Sequence, residues 1–325
     1  MNMTPVITPD INYSIVIPTF RRADMLTGCL DSLINLDYPK EKIEIVIVDN
    51  GGVSENNIEV ARPFFDKLRI SYLINEVNRG YGFSVNRGLR ASNGRVIVFL
   101  NDDARPIPDL IRKADALLAS DYRIGCIGCR VIEDGYINEG EGIGRIDHNG
   151  RVVANFNIDC GEPIDVEHVY GFCYLFTREA IKRAGVNDEI LLAKPYSSGN
   201  RIETDHCLSI RRAGLRVVYH PGMVAHHLAK PRPDMSEVSL KWKMNGIRNT
   251  LYLFLKHYGL LGCGAAALRL TFLIDIGLIS VIKQPTHANW AYFLTGLRAR
   301  ASAYGHYLLY LLKGPRVVVF PRDLK

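Results

Sequence analysis

The feature that most restricts the fold of this sequence is a regular alternation, in its first half, of short apolar runs with segments of helical periodicity. The runs are rich in β-branched residues and predict buried strands at 13–20, 42–49, 68–75 and 96–100. Between them, apolar residues recur at helical spacing within 22–36, 58–67 and 83–92. Strands and helices that alternate through short connections predict right-handed βαβ units and a parallel sheet.

Polar residues follow three of the predicted strands at the point where each strand ends. They are Pro18 and Thr19 after the first strand, Asp49 and Asn50 after the second, and Asn101, Asp102 and Asp103 after the fourth. In an open parallel sheet, ligands bind outside the carboxyl ends of the strands, so these residues lie where a ligand is expected. The chain has no GxGxxG after the first strand and no Walker A sequence, which argues against a dinucleotide site and a P-loop nucleotide site.

Asp102 and Asp103 are adjacent acids at the end of a predicted core strand. Two neighbouring carboxylates repel each other when both are ionised, and a divalent cation removes that repulsion. Mg²⁺ and Mn²⁺ prefer oxygen ligands, and Mg²⁺ commonly joins one or two carboxylates to substrate phosphates. Taken alone, the pair supports two interpretations equally: a site for a metal diphosphate, or turn acids that cap the next helix.

The pattern continues downstream around a Gly-, Asp- and Asn-rich insertion at 133–167. It predicts strands at 124–132, 169–176 and 216–219, and helices at 109–119, 178–184 and 205–213. Glu203 and Asp205 lie beside the start of the last helix, where acids can also complement the helix dipole by about 0.3–1 kcal/mol each. His226 and His227 follow the last strand, and a histidine can complete a metal shell that a carboxylate begins.

The C-terminal part differs in charge and hydropathy from the rest. From Lys241 to Lys325 there are 12 Lys and Arg residues and 2 Asp and Glu residues, a net charge of +10, whereas the first 240 residues carry a net charge of −4. Charged residues interrupt the apolar segment 251–283, so no uninterrupted apolar stretch in it reaches the roughly 20 residues that a membrane span needs. Two alternatives stay open: amphipathic helices in a membrane interface, or helices packed on the rest of the chain or on a second subunit.

The seven cysteines are scattered and odd in number, which predicts reduced core thiols in a cytoplasmic protein. Cys126 and Cys129 have CxxC spacing, but no second CxxC exists to complete a zinc site, so core cysteines are favoured. The first residues have neither a basic start nor an apolar stretch, so no signal peptide is expected. Because no recognition motif occurs, we expect no nucleic-acid partner.

Several stretches, taken in order, resemble glycosyltransferase family 2. They are SIVIPTFRR, IVIVDNGG, NRGYGFSVNRGL, VFLNDDARP, ETDHCLSIRRAG and VAHHLAKP, followed by RNTLYLFLKHY. The resemblance implies a GT-A fold, an α/β fold whose mostly parallel, Rossmann-like sheet is flanked by helices, here with a helical C-terminal extension. It divides the chain into an N-terminal extension at 1–12, a catalytic domain at 13–231 and a basic, apolar helical region at 232–325.

The resemblance also implies a nucleotide site along the strand ends. It assigns the nucleoside pocket to Pro18, Thr19 and Arg21, and the segment beside the base and phosphate to Asn78, Arg79 and Gly80. Asp49 would accept a hydrogen bond from the base, consistent with uracil or thymine.

The residues Asn101, Asp102 and Asp103 match the DxD-type motif of the family. The resemblance places Asp102 toward the ribose and Asp103 on the metal, which would be Mg²⁺ or Mn²⁺. His226 resembles the histidine that joins the metal shell, and its neighbour His227 stays open as an alternative.

The catalytic base is where this sequence departs from the family pattern. The family commonly has Glu-Asp-x-Asp, and here the positions hold Ile202, Glu203, Thr204 and Asp205. Glu203 stands where the family's catalytic Asp lies, and Asp205 is the next candidate. Inversion proceeds by in-line attack, for which one of these carboxylates must take the proton of the acceptor hydroxyl.

The function expected from the resemblance is an inverting glycosyltransferase with some likeness to the rhamnosyltransferase subgroup. It would move a sugar from a UDP- or dTDP-linked donor to a hydroxyl of a lipid-linked glycan or polysaccharide, in the cytoplasm or at the cytoplasmic face of the membrane. Its C-terminal region would contact the acceptor, the membrane surface or a second copy. The alternatives are a non-catalytic nucleotide-sugar-binding subunit and, with less support because PTFRR has no glycine, a sugar nucleotidyltransferase.

Overall fold

The structure is a computed structural model that describes residues 11–54, 56–147, 151–185, 201–228, 236–262 and 278–314. The predicted N-terminal extension at 1–12 therefore lies almost entirely outside the described residues, as does the predicted boundary near residue 231. The statements that follow refer to the described residues.

The strands and helices alternate much as the sequence predicts. The strands are β1 (Tyr13–Thr19), β2 (Ile43–Asp49), β3 (Ile70–Ile74), β4 (Val96–Leu100), β5 (Ala104–Pro106), β6 (Ile124–Ile132), β7 (Arg145–Ile146), β8 (Val152–Val153), β9 (Ile164–Asp165), β10 (Cys173–Thr177) and β11 (Arg216–His227). The helices are α1 (Ala23–Ile34), α2 (Ile58–Ala61), α3 (Tyr81–Ala91), α4 (Leu110–Ser120), α5 (Arg178–Ala184), α6 (Ile202–Arg212), α7 (Ser236–Gly262), α8 (Leu278–Lys283) and α9 (His287–Lys313).

A nine-stranded sheet forms the centre of the molecule, with the order β3-β2-β1-β4-β10-β6-β11-β5 and β9 paired to β11. The half made of β3, β2, β1 and β4 is parallel, which confirms the predicted α/β class. Strand β10 enters antiparallel between β4 and β6. It follows the irregular insertion rather than a helix, so no βαβ crossover imposes a parallel direction on it.

The two central strands β1 and β2 are buried at every residue, because helices cover both faces of the sheet. Helix α3 packs directly on them at Gly88, where a Cβ atom would lie 2.3 Å from Val16 Cγ1. This close approach holds the N-terminal end of α3 at the carboxyl edge of the sheet. Polar strand ends and one helix start therefore share an edge.

Three elements differ from the predicted bounds. Helix α2 is one turn long and passes at Arg62–Phe64 into a 3-10 turn, because Pro63 cannot continue an α-helix. Helix α6 begins at Ile202 rather than at 205, so Glu203 lies in its first turn. Strand β11 continues to His227 across an irregularity between His220 and Val224, and so reaches β5.

The C-terminal helices α7 and α9 pack on each other and on the rest of the chain. A separate apolar cluster joins Ile202 of α6 to Leu251 and Leu255 of α7 and Ala303 of α9. Of the predicted alternatives, packing on the rest of the chain is thus observed for one side of this region. No helix within the described ranges is both long enough and apolar enough to cross a membrane.

The cysteines behave as predicted in the described part of the chain. Cys126 and Cys129 are buried, and neither forms a disulfide. Their sulfur atoms lie near those of two other buried cysteines, with 3.9 Å from Cys126 to Cys207 and 3.6 Å from Cys129 to Cys173. Both belong to the hydrophobic core, as predicted.

Candidate active site

The acid pair at the end of β4 is held by two residues from the β1 side. Thr19 Oγ1 donates a hydrogen bond to Asp102 Oδ2 over 2.8 Å. The Arg22 guanidinium donates to Asp102 Oδ1 over 2.9 Å and to Asp103 Oδ2 over 2.7 Å. Thr19 was predicted at this site, whereas Arg22 was not. One arginine therefore bridges two adjacent carboxylates and offsets part of their charge.

The two carboxylates differ in acidity, although both are almost completely buried. Burial raises the pKa of Asp102 to about 6. Burial also acts on Asp103, but contact with His227 and the positive charge of Arg22 outweigh it and lower its pKa to about 2. Asp103 is therefore the carboxylate that stays ionised throughout the neutral range.

The structure places His227, not His226, against the acid pair. His227 Nε2 lies 3.4 Å from Asp103 Oδ1, while its Nδ1 lies 2.6 Å from Glu133 Oε2. His226 is exposed on the other face of the strand, because successive strand residues point to opposite sides. The structure therefore does not bring His226, the predicted metal ligand, to the acid pair, and a metal contact of either histidine stays a prediction. His227 is the alternative that the sequence left open.

The residues around Asp103 fit a divalent cation. Asp103 Oδ1 is buried and accepts no hydrogen bond from the described residues. If His227 loses its Nε2 proton while Nδ1 donates to Glu133, the Nε2 atom beside that oxygen would become a ligand position for a cation. No three His, Cys, Asp or Glu side chains of the described chain gather into a metal cage. Two protein ligands suit Mg²⁺ or Mn²⁺, which take further ligands from phosphates and water.

Asp49, for which a contact with a nucleotide base is predicted, is enclosed by donors of this chain. It is fully buried, and its oxygens accept hydrogen bonds from the backbone N–H groups of Gly51 and Asn57, each over 2.7 Å. The hydroxyl of Tyr72 and the side-chain amide of Asn57 also donate to it. With all these donors inside the chain, the carboxylate shapes the loop after β2.

The other predicted nucleotide-site residues lie along one rim. The backbone N–H of Asn50 donates to Thr19 O over 2.9 Å, and Asn50 Oδ1 accepts from the Arg79 N–H over 3.3 Å. Gly80, with a positive φ of 86°, precedes α3 and donates to Asn78 Oδ1 over 2.9 Å. Three loops are thus linked beside the acid pair.

Arg21 and Pro18 flank the end of β1 in different ways. Arg21 is exposed, has a positive φ of 52°, and stacks its guanidinium on Phe20 with 5.0 Å to the ring centroid. A non-glycine residue in this backbone region is uncommon and is often found at functional sites. Pro18 is buried within β1, one residue before the end of the strand. Contact of either residue with a nucleoside stays a prediction.

Glu203 lies in the first turn of α6, against the segment that precedes β10. A Cβ atom added to Gly171 would lie 3.1 Å from its carboxyl group. Glu203 is half-buried, and burial raises its pKa to about 7. A carboxyl group of this acidity exists in both forms near neutral pH, which suits a general base.

Tyr81 connects the two sides of the site. Its hydroxyl lies 3.3 Å from Asn101 Oδ1 and 3.4 Å from Gly171 O. Burial raises the pKa of this hydroxyl, and the negative charges of Glu203, Asp103 and Asp102 add to the effect. The acid pair and Glu203 therefore lie on the same edge of the molecule, around one tyrosine.

Asp205, the second candidate base, is engaged elsewhere. Its oxygens accept hydrogen bonds from Lys256 Nζ over 2.8 Å and from His257 Nε2 over 2.6 Å. Burial opposes ionisation, but these two partners hold the pKa of Asp205 well below its usual range. A buried carboxylate bound to two donors is a poor proton acceptor, so of the two candidates only Glu203 is available.

Three residues of the site were not predicted from the sequence: Arg22, Tyr81 and Glu133. Arg22 and Tyr81 occur in the quoted stretches PTFRR and NRGYGF, where nothing distinguishes them from surface or core residues. Glu133 begins the irregular insertion, and no local signal marks it. Each joins the site through contacts with residues far away in sequence.

Comparison with known proteins identifies the family and the fold. The sequence model of the family described as Glycosyl transferase family 2 matches residues 14–185, just over half of the chain. Glycosyltransferase AglE of Haloferax volcanii is 29% identical to the chain over 171 residues, which are 52% of the chain and 53% of AglE. The chain thus spans about half the length of this curated relative.

Two solved structures resemble the fold over most of the chain. Residues 1–349 of Staphylococcus aureus TarS give a TM-score of 0.61 at 14% identity, covering 90% of this chain and 81% of that one. The mannosyltransferase PcManGT of Pyrobaculum calidifontis, in complex with GDP-Man and Mn²⁺, gives 0.56 at 17% identity, covering 94% and 88%. At such identities the likeness concerns the fold alone, and it confirms the expected GT-A fold.

The shared role of Arg22 can be tested by the substitution Arg22→Met. Without added metal, we expect a loss of about 2 kcal/mol in the free energy of unfolding, because two buried carboxylates lose hydrogen bonds to one charged donor. Mn²⁺ should raise the melting temperature of the variant more than that of the parent, since no guanidinium competes for the carboxylates. Thermal denaturation with Mn²⁺ or with EDTA measures both effects.

The matched control is Arg62→Met, which removes an exposed ion pair with Glu59. It should change neither the melting temperature nor the response to Mn²⁺. The same Mn²⁺ response in Arg22→Met and in the parent would contradict the competition between guanidinium and cation.

Proposed function

The chain belongs to glycosyl transferase family 2, and from this membership we propose that it transfers a sugar from a nucleotide-diphosphate donor to an acceptor hydroxyl. One observation carries the proposal. The buried pair Asp102 and Asp103, fitted for a cation, shares an edge with the half-buried carboxyl of Glu203, around Tyr81. A metal diphosphate site and a proton acceptor are the two parts that glycosyl transfer requires.

The donor site comprises the acid pair and the rim of loops beside it. Asp103 and His227 would hold Mg²⁺ or Mn²⁺, and the cation would stabilise the negative charge of the departing diphosphate. Asn78, Arg79 and Gly80 would lie beside the nucleotide, and Arg21 and Thr19 would border the nucleoside. Asp49 would support the nucleotide base indirectly, because its hydrogen bonds shape the loop after β2. A UDP- or dTDP-sugar is the donor that the family resemblance favours.

Known donors of the similar structures vary. TarS has been solved with UDP-GlcNAc, and PcManGT with GDP-Man. Both are diphosphate-linked sugars, which agrees with the chemistry of the acid pair, but their bases differ. The base of the donor for this chain is therefore a question for direct titration.

Glu203 is proposed to act as the general base. Its carboxylate would accept the proton of the acceptor hydroxyl while that oxygen attacks the anomeric carbon from the side opposite the diphosphate, which inverts the configuration. No covalent nucleophile takes part. Tyr81, between Glu203 and the acid pair, would border the sugar being transferred. A Cβ atom at Gly171 would lie 3.1 Å from the Glu203 carboxyl, so a larger side chain there would press on that group.

The acceptor is proposed to be a lipid-linked glycan or a polysaccharide. Among the relatives, TarS is a poly(ribitol-phosphate) beta-N-acetylglucosaminyltransferase, which acts on a polymer. An exposed apolar stripe on α9, made of Trp290, Leu294, Leu297, Leu308 and Leu311, supports contact with lipid. The segment 278–314 has no acidic residue, and its exposed basic residues Lys283, Arg298 and Lys313 complement the charge of anionic lipid head groups. We place the enzyme at the cytoplasmic face of a membrane.

The donor site is tested by calorimetric titration with UDP, dTDP, GDP and ADP, each with and without Mn²⁺. We expect one pyrimidine diphosphate to bind in a metal-dependent way, because the diphosphate completes the ligands of the cation. Asp103→Ala should abolish this binding and leave the circular dichroism spectrum unchanged, whereas Asp134→Ala, at an exposed acid, should bind like the parent. Full metal-dependent binding by Asp103→Ala would refute the site.

The base is tested by Glu203→Gln, with the exposed Glu141→Gln as the matched control. Loss of the proton acceptor should lower kcat by about 10²–10⁴-fold and leave UDP affinity unchanged. For the parent, kcat/KM should increase with pH and reach half of its maximum near pH 7, because the ionised form of Glu203 is the active one and its pKa is about 7. A rate unchanged in Glu203→Gln, or independent of pH between 5 and 8 in the parent, would rule out this base.

Membrane contact is tested by sedimentation with vesicles of phosphatidylglycerol and phosphatidylcholine. The parent should bind these vesicles and not pure phosphatidylcholine, and Leu294→Gln/Leu308→Gln should bind several-fold more weakly because apolar area is lost. Ile137→Gln removes a more exposed apolar side chain elsewhere and should have no effect. Absence of binding together with a dimer in light scattering would assign the stripe to a second copy instead.

A further inference from the structure

A buried ionic cluster joins the helix that carries Glu203 to the C-terminal helices. It consists of Asp205 on α6 and the neighbouring residues Lys256 and His257 on α7, and it is called the α6–α7 cluster below. The two donors bind different oxygens of the same carboxylate, Lys256 over 2.8 Å and His257 over 2.6 Å. The side chains of Asp205, Lys256 and His257 are 3%, 8% and 2% exposed, respectively.

Such a cluster is a poor source of stability. Removing charged groups from water costs several kcal/mol per ion, and replacing a buried ion pair with apolar side chains of similar volume is often neutral or stabilising. The cluster instead restricts the orientation of α6. Because adjacent residues of one helix bind both oxygens of Asp205, they fix the position of that carboxylate and, with it, the rotation of α6 about its axis.

The residues on both sides of Glu203 are attached to α7 in the same way. Arg201 Nε donates to Thr250 Oγ1 over 3.1 Å, and Ile202 packs on Leu251. Asp205 follows two residues after Glu203 within the same stretch of helix. The turn that carries Glu203 is therefore held from one side by α7, while the Glu203 carboxyl lies on the other side, against Gly171.

We propose that Lys256 and His257 are positioning residues for the reaction, which act through Asp205 on the carboxyl of Glu203. The inference rests on the proposed function, in which Glu203 is the base. A carboxylate that accepts a proton during in-line attack must be held within a fraction of an ångström, and a displacement of about 1 Å can reduce the rate about 10²-fold. In this proposal, α7 contributes to catalysis by positioning Glu203.

The test compares Lys256→Met with Lys256→Arg, which keeps the charge and the donor, and with Lys67→Met at an exposed lysine as the matched control. We expect kcat of Lys256→Met to fall about 10- to 100-fold. Its dissociation constant for UDP with Mn²⁺ should stay within about twofold of the parent, because the acid pair lies on the sheet and not on α6. Lys256→Arg should recover most of kcat, and Lys67→Met should match the parent.

All variants are assayed well below their melting temperatures, so that the unfolded fraction does not contribute. If Lys256→Met does not fold, His257→Leu replaces it, since it removes the donor to the other oxygen of Asp205 and leaves Lys256 in place. A parent-like kcat in the folded variant would overturn the proposal. So would a loss of UDP affinity equal to the loss of kcat, which would indicate a general disturbance of the fold.

A double-mutant cycle separates this inference from the proposed function. If Lys256 acts through Glu203, Lys256→Met should cause little further loss in a Glu203→Gln background, whereas independent effects would multiply and would refute the route through Glu203. Turnover retained by Glu203→Gln alone would instead refute the assignment of the base. If Glu203→Gln is inactive and Lys256→Met fully active, only the positioning role fails.

Discussion

Two adjacent carboxylates at the end of a buried strand are the constraint around which this edge of the molecule is arranged. Asp102 and Asp103 are almost completely removed from water and repel each other. Arg22, Thr19 and His227 offset that repulsion, and they come from the first loop and from the far end of the last strand of the sheet. The order of the strands is thus coupled to the charges: β1 must lie beside β4, and β11 must reach β5, for the pair to be compensated.

The opposite side of the site depends on a different part of the chain. Glu203 is placed by α6, and α6 is held by α7 through Asp205, Arg201 and Ile202. The boundary expected near residue 231 divides the chain into a catalytic domain and a C-terminal region. Residues from both sides of that boundary nevertheless hold α6 in place. A metal diphosphate would be bound by the sheet, whereas the proposed base is oriented by the C-terminal helices. The same helices carry, on their outer side, the apolar stripe of α9 that we assign to lipid.

Much of this arrangement could be anticipated from local pattern. The apolar runs correspond to β1, β2, β3 and β4 within a few residues, because strands buried on both faces need an uninterrupted apolar sequence. The collection of polar residues at their carboxyl ends followed from the parallel direction of the strands. Even Glu203 could be selected as a base candidate, since the order of motifs along the chain resembles that of the family.

The differences between the expected and the observed surroundings of the site residues have one physical origin. His226 instead of His227 is a difference of one residue in a strand, where each step reverses the face on which a side chain lies. Asp49 and Asp205 were expected at the ligand, but both are enclosed by donors from other parts of the chain, Asp49 by Tyr72 and Asp205 by Lys256 and His257. The sequence did not single out Arg22, because its role depends on contact with Asp102, which lies 80 positions away in the chain.

The sequence by itself determined the class of fold, the edge at which the chemistry is placed and the kinds of groups found there. Apolar periodicity and the end of each strand are local properties, and local properties can be read from neighbouring residues. Only the tertiary structure decided which histidine lies beside Asp103 and which of Glu203 and Asp205 stays available as a base. It also decided that Arg22 is the positive charge that pairs with Asp102 and Asp103. Those outcomes depend on contacts among residues remote in sequence, and the burial that changes their pKa values exists only once the chain has folded.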